Sequence, residues 1–359
     1  MARTGSASTS TLKSFNNQVG LRILIARLSH IGDCIATLPV ACAIRTALPE
    51  ATIGWVVESP SNQLLEHHPA IDELIVIPSG FVKRPRQLNA IRKRLKQFRP
   101  DVVIDPQSLM KSSLLGWLSG AKLRIGLARP AGREIAPLLN NKLINKTSTH
   151  IVDHSLELLK PIGIETPKVE FRLPANTAAA KTIDKFIAQS DFQHRFVLIN
   201  SGAGWASRRW PADRFAVVAR HLAQQYQIPS VVAWAGEEEK KLAMQIIAES
   251  NGHAQIAPKT NLVELTELLR RSYFYLGSDT GPMHIAAAVG TTCLSLFGPT
   301  LPSYSGAYGS QHSSVQTYHQ STDRKTSNAA MLAIKADDVC KAVDQLLNRL
   351  NAATFRNAG

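Results

Sequence analysis

Four short stretches of the chain carry residues whose types and spacing can do chemistry. The first is Arg27-Leu28-Ser29-His30-Ile31-Gly32-Asp33, where a carboxylate follows a glycine shortly after the apolar run Leu21–Ala26. In an open α/β sheet, ligands gather at the carboxyl ends of the strands, and Asp33 stands at such an end. It suits a general base there, and it equally suits a plain helix cap. The second is Ser201-Gly202-Ala203-Gly204-Trp205-Ala206-Ser207, followed by Arg208-Arg209. An arginine fork matches phosphate oxygens, so this pair can grip a diphosphate; as surface charges beside a packed Trp210 the two would do no chemistry. The third is Ser278-Asp279-Thr280-Gly281-Pro282-Met283-His284. Pro282 suits the first position of a helix, whose free N–H groups and positive end favour phosphate, while Asp279 and His284 add polar side chains. An ordinary capped helix with a core-facing histidine fits the same letters. The fourth is Glu237-Glu238-Glu239, acids welcomed by a helix N-terminus, any of which can also meet ribose hydroxyls.

The elements that must position these stretches alternate between strand and helix. Leu21–Ala26 predicts a buried strand, followed by an apolar helix from about Cys34 to Ala47. Ala51–Val57 and Glu73–Ile77 read as strands, with a short helix over Ser61–His67 between them. Asp101–Asp105 is the next strand, and Pro106-Gln107-Ser108 opens a helix that carries Lys111 and runs to Leu118. Lys122–Leu127 is a strand, followed by Arg129, Arg133 and Glu134 in a Pro/Gly-rich loop and a helix over His150–Ile162. Pro161, Gly163 and Pro167 mark a drift toward a boundary. From Ala175 the rhythm restarts, with strands over Phe196–Asn200, Ser230–Ala235, Tyr273–Gly277 and Thr291–Phe297. Helices are predicted over Asp213–Tyr226, from Glu237, and over Ile285–Val289. Val339, Ala342, Val343, Leu346, Leu347 and Leu350 mark an amphipathic helix near the end. The expected division is a disordered tail over 1–19, α/β domains over 20–174 and 175–338, and a terminal helix and tail over 339–359.

The totals narrow the classes. A chain of 359 residues, 44% hydrophobic and 19% charged, is long enough for two α/β cores. No apolar run approaches the roughly 18–20 residues that span a bilayer. The polar start lacks the apolar segment of a secretory signal. The four cysteines stand singly, with no Cys/His ligand spacing, so neither a zinc site nor a disulfide framework is indicated, and a cytoplasmic location fits. A net charge of +14 implies acidic partners, yet no nucleic-acid motif accompanies it and aromatics are scarce. Eight of the cations fall in Lys83–Arg99 with no acid among them. Leu88, Ile91, Leu95 and Phe98 mark one packed face there, so the other face is either solvated or set against an anionic membrane surface.

Taken together, four segments resemble the ADP-heptose:lipopolysaccharide heptosyltransferases of glycosyltransferase family 9. They are RILIARLSHIGDCIATLPVACAIR, DVVIDPQSLMKSSLLGWLSGAKLRIGL, INSGAGWASRRWP and GSDTGPMHIAAAVGTTCLSLFGPT. The resemblance implies a GT-B fold, in which two Rossmann-like α/β/α domains face a central cleft, the N-terminal one binding acceptor and the C-terminal one donor. It implies transfer of heptose from ADP-heptose to a Kdo or heptose hydroxyl of the lipopolysaccharide inner core, with inversion and without a metal or other cofactor. Asp33 then corresponds to the general base. Arg208 falls where the family usually has a lysine at the leaving diphosphate. Gly202, Asp279, Thr280, Gly281 and His284 correspond to the donor pocket, Glu239 to the ribose-binding acid, and Gln107, Lys111 and Arg129 to the acceptor side. The resemblance also implies work at the cytoplasmic face of the inner membrane, peripherally. Two other classes remain in view: a nucleotide-dependent oxidoreductase or epimerase, and a non-catalytic sugar-nucleotide or nucleic-acid binder. Against the first, no GxGxxG follows Leu21–Ala26, and no acid sits at the ribose position about 20 residues on in the usual way.

Overall fold

The computed structural model describes residues 20–190, 195–320 and 328–357, so the tail expected over 1–19 lies outside the described residues. The chain divides between Pro174 and Ala175 into two compact units. In the first, six strands form one sheet: β1 (Arg22–Ala26), β2 (Thr52–Glu58), β3 (Glu73–Ile77), β4 (Val102–Asp105), β5 (Leu123–Leu127) and β6 (Lys142–Ile144). Every pairing is parallel, in the order β3-β2-β1-β4-β5-β6. A parallel strand covered on both faces needs apolar residues at successive positions rather than alternate ones, and Ile23–Ala26 and Val102–Ile104 are buried throughout. The second unit repeats the plan with β7 (Val197–Asn200), β8 (Ser230–Ala233), β9 (Ala254–Ile256), β10 (Phe274–Ser278), β11 (Cys293–Leu296) and β12 (Ser313–Val315), ordered β12-β11-β10-β7-β8-β9. Both sheets therefore reverse their winding beside their first strand, at β1/β4 and at β7/β10, which is where open α/β sheets leave a crevice for ligands.

The α/β alternation expected from the sequence is the one observed, with instructive local differences. The single helix read over His150–Ile162 is an α-helix, Ile151–Leu156, that tightens into a 3₁₀ segment, Glu157–Ile162. Pro161 has no N–H to give and its ring crowds the carbonyl four residues back, so the α ladder cannot continue through it. The strand read over Thr291–Phe297 shortens to β11. The short helix after β2 is a 3₁₀ turn over Ser61–Leu64. Three edge strands, β6, β9 and β12, escaped the sequence reading because each is three residues long and too short to show a period. The helix Leu262–Arg271 escaped it too, although its Asn261/Glu264 capping box is a readable signal. The described residues contain no helix long and apolar enough to cross a membrane. Cys34 and Cys42 are buried, and that burial pushes both thiols up to about 12, so neither is a thiolate near neutrality.

Glu157 anchors the loop that enters the helix Ile151–Leu156. Its carboxylate accepts from the Thr147 N–H (2.9 Å) and hydroxyl (2.5 Å) and from the Ser148 N–H (2.7 Å) and hydroxyl (2.5 Å). Burial opposes ionisation, but the four donors outweigh it and bring the group down to about 2 from an ordinary 4.5. A carboxylate whose folded value is depressed contributes stability fully above its unfolded value, and loses it as pH falls through the folded one. Glu157→Gln should therefore cost roughly 2–3 kcal/mol in urea melts at pH 7. The deficit should shrink as pH falls from about 4.5 toward 2; a deficit unchanged across that window would show that the charge is not what holds the loop.

Candidate functional site

In the N-terminal unit the candidate residues collect at the β1/β4 switch point. β1 ends at Ala26, and the helix Ile31–Ala47 begins five residues later with Asp33 in its first turn. One Asp33 oxygen accepts the His30 N–H at 3.2 Å, closing a capping box, while the other meets the Arg27 guanidinium at 2.9 Å. The Arg27 side chain is 7% exposed and that of Asp33 39%, so a buried cation holds an accessible carboxylate. Arg27 also reaches the Pro106 carbonyl at 3.4 Å, and its own carbonyl accepts the Trp55 indole N–H at 2.9 Å. Its Nε is buried and meets no acceptor among the described residues.

The loops after β2, β4 and β5 tie into the same corner. Gln107, in the loop after β4, accepts the Leu28 N–H at 2.9 Å and so fixes the loop that carries Asp33. Lys111, on the helix Met110–Ser119, lies 3.6 Å from Glu58 at the end of β2. The loop after β5 carries Arg129, which donates to the Glu134 carbonyl at 2.8 Å, and Glu134 accepts the Met110 N–H at 2.7 Å. Below this corner Asp105, the last residue of β4, is fully buried and accepts from the Ser108 N–H, the Ser113 hydroxyl and the Asn140 amide. Burial raises its pKa despite those donors.

In the C-terminal unit a second cluster forms at the β7/β10 switch point. Asp279 directly follows β10 and is only 3% exposed. One of its oxygens faces His284 at 3.6 Å. The other accepts the Thr300 hydroxyl at 2.7 Å and the Ser305 hydroxyl at 3.0 Å, and lies 3.4 Å from Arg208. Burial would raise this carboxylate, but His284, Arg208 and Thr300 hold it below the usual range. Arg208 also donates to the Asp279 carbonyl at 2.7 Å and stacks over the Trp205 ring at 4.2 Å. Its Nε, like that of Arg27, is buried without an acceptor among the described residues. Arg208 is thus not the loose surface charge that the sequence allowed. Thr280 caps the helix Gly281–Ala288 without a side-chain bond to it. Its hydroxyl stands instead between the Asn200 amide (3.4 Å) and the Tyr275 hydroxyl (3.3 Å). Glu239, in the first turn of the helix Gly236–Glu249, accepts the Ala235 N–H at 2.9 Å, and burial raises its pKa. Gly202 lies beneath it: a Cβ there would come within 2.1 Å of the Glu239 carboxyl carbon.

The structure thus brings Asp33 and Gln107 to one loop system, with Lys111 and Arg129 on neighbouring segments. It gathers Arg208, Asp279 and His284 into one cluster, with Thr280 and Gly281 beside them and Gly202 against Glu239. Sequence reasoning missed Arg27 and Asn200, both polar residues at the end of an apolar strand, which is itself a usable signal. Thr300 closes the fourth resembling segment without having been singled out, and Ser305 carried no signal; both reach Asp279 from more than twenty positions away. The described residues contain no group of three or more His, Cys, Asp or Glu able to hold a metal ion.

Comparison with known proteins identifies the family and supports the fold. The family profile of glycosyltransferase family 9 (heptosyltransferase) matches residues 88–333. The chain is 27% identical over 301 residues to lipopolysaccharide heptosyltransferase 1 of Pseudomonas aeruginosa, covering 80% of this chain and 82% of that protein. It is 26% identical over 356 residues to lipopolysaccharide heptosyltransferase 3 of Escherichia coli K12, covering 92% and 99%. Among solved structures, a family 9 glycosyltransferase from Veillonella parvula superposes with a TM-score of 0.77 at 22% identity, covering 93% of this chain and 99% of that one. The E. coli heptosyltransferase WaaC with ADP superposes at 0.72, also with 22% identity, covering 91% and 98%.

The Asp279 cluster has a consequence for stability. Asp279→Ala leaves the Arg208 guanidinium without its buried partner, and stranding one member of such a pair costs about 3–5 kcal/mol. Chemical denaturation should register that loss. A destabilisation below about 1 kcal/mol would mean that the carboxylate is not the anchor of the cluster.

Proposed function

Because this chain belongs to glycosyltransferase family 9, the heptosyltransferases, we propose that it moves heptose from ADP-heptose to a Kdo or heptose hydroxyl of the lipopolysaccharide inner core, inverting the anomeric centre. The observation that carries this reading is a pair of opposite charges, one at each switch point. An accessible carboxylate, Asp33, is fixed in the N-terminal unit, and a stacked guanidinium, Arg208, is fixed in the C-terminal one. Acceptor activation is assigned to the first and donor binding to the second.

In this mechanism Asp33 takes the proton of the acceptor hydroxyl. The oxygen attacks the anomeric carbon from the face opposite the diphosphate, and the bond to ADP breaks with its electron pair on the leaving oxygen. Charge grows on the diphosphate as that bond breaks. Arg208 and the N-terminus of the helix Gly281–Ala288 stabilise it there, so protein groups supply the positive charge and no metal is required. Asp279 serves by holding Arg208 and His284 in place, since its own oxygens are turned to protein partners. Glu239 receives the ribose hydroxyls above Gly202. Gln107 steadies the base loop, and Lys111 and Arg129 meet the anionic acceptor. The acceptor's lipid anchor places the enzyme at the cytoplasmic face of the inner membrane. The cationic side of the helix Pro85–Phe98, where Arg92, Lys93 and Lys96 are exposed, is suited to attract that surface from a distance.

Two substitutions test the two roles. Asp33→Asn keeps the cap and should cut turnover roughly 10²–10⁴-fold with ADP affinity nearly unchanged by calorimetry. Near-normal turnover would reduce Asp33 to a helix cap. Arg208→Ala should weaken ADP binding and lower turnover at saturating donor by roughly 10²–10³-fold, with the parent indifferent to EDTA. Equal turnover of the two proteins would remove Arg208 from the transition state, and an EDTA loss restored by magnesium would overturn the metal-free assignment.

A further inference from the structure

Three of the most exposed large apolar side chains in the N-terminal unit are Trp117 (54%), Ile135 (47%) and Leu138 (81%). They come from two segments that the structure ties together. Glu134 bonds the first N–H of the helix Met110–Ser119, and the Asn140 amide bonds the Ser113 hydroxyl at 3.1 Å. The stretch between them, with its short helix Ala136–Leu139, therefore runs along that helix and packs on it. Trp117 is one turn beyond Ser113 on the same stripe of the helix, and Ser113 is the residue that Asn140 bonds. Nothing in the hydrogen bonding or the core requires these side chains to be large and apolar.

The charges around them are predominantly positive. Between Gln107 and Val152 there are seven Lys and Arg residues and a single acid, Glu134, whose carboxylate is already engaged by the Met110 N–H. Arg129, Arg133 and Lys142 are exposed beside the apolar group. An apolar centre with a cationic rim matches a bilayer interface, where aromatic and aliphatic side chains enter the head-group region and Lys or Arg meet anionic lipid. Lys111 follows Met110 directly, and Arg129 stands in the loop that leads to Ile135, so the same two segments carry the residues assigned to the acceptor.

We propose that Trp117, Ile135 and Leu138 form an interfacial docking patch that inserts into an anionic lipid surface and presents the acceptor corner to a lipid-anchored sugar. This rests on the heptosyl-transfer reading for its purpose, though not for its chemistry. It differs from attraction by the helix Pro85–Phe98, which acts through charge alone and is screened by salt.

The test uses the full-length protein and vesicles of phosphatidylcholine with and without about 30% phosphatidylglycerol. The parent should bind the anionic vesicles and retain part of that binding at high salt. Trp117→Ser/Ile135→Ser/Leu138→Ser, which touches only exposed positions, should lower the partition coefficient at least about tenfold and abolish the salt-resistant part. Brominated lipid should quench the parent's tryptophan emission, and Trp117→Phe should lose that quenching while still binding. The inference is overturned if the triple variant binds as the parent does, or if neutral vesicles bind as well as anionic ones. It is equally overturned if the parent ignores vesicles but self-associates in sedimentation runs through these three residues. Transfer to a delipidated core oligosaccharide should be the same in parent and triple variant. A parent that binds vesicles through the patch yet transfers no heptose to that acceptor would sink the functional reading and leave the docking patch standing.

Discussion

Both candidate half-sites depend on a guanidinium clamped to a carboxylate at the switch point of a parallel sheet, and the two clamps are built in opposite senses. In the N-terminal unit Arg27 is the buried member, 7% exposed, and Asp33 is presented at 39%. In the C-terminal unit Asp279 is the buried member, its side chain 4% exposed, and the Arg208 side chain is presented at 20%. A charge taken out of water needs a partner, and a partner so constrained is held in one place. Burying the cation in one unit and the anion in the other therefore presents a fixed carboxylate in the first and a fixed guanidinium in the second. Those are the two signs that a displacement at an anomeric carbon requires.

The repeated strand order explains why the clamps occupy equivalent places. In each sheet the crossovers leave the first strand in opposite directions, so the loops after β1 and β4, and after β7 and β10, separate and leave a crevice. Each gap is then bridged by a side-chain amide from one loop to the other. Gln107 reaches Leu28 in the first unit, and Asn200 reaches Thr280 in the second. Such bridges cost little and set the loop that carries the working group, as preorganised electrostatics demands. The close seat of Glu239 on Gly202 belongs to the same logic: any side chain at that position would displace the carboxyl.

Charge outside the half-sites is arranged on a longer scale. The +14 excess is concentrated on the N-terminal unit's helix Pro85–Phe98 and on the segments around Trp117. On that helix Ile91, Leu95 and Phe98 pack into the core with Leu24, Val103 and Leu115, so the cations are left on the outer side by the packing itself. Attraction over a Debye length and insertion of apolar side chains are separate physical effects, and in the proposed docking the helix would supply the first and the apolar patch the second.

The sequence alone was sufficient for the α/β alternation, for most long elements and for Asp33, Arg208 and Asp279 as candidates, though not for Arg27 and Asn200 at the strand ends. Those features follow from local rules: apolar runs of four or five residues, caps, and glycine or proline at the breaks. It left Asp33 as either a cap or a base, and the structure shows why the letters could not choose, since the carboxylate makes the capping bond and the Arg27 pair together. It also left Arg208 as either a grip or a surface charge. That choice depended on Trp205 stacking and on Asp279, seventy-one residues away, and no local pattern reports such a distance. Thr300, Ser305, the Gln107 bridge and the bonds of Glu134 and Asn140 to the helix Met110–Ser119 belong to the same class. They exist only when strands distant in sequence lie side by side, so the fold supplied the neighbours and the sequence supplied the residue types.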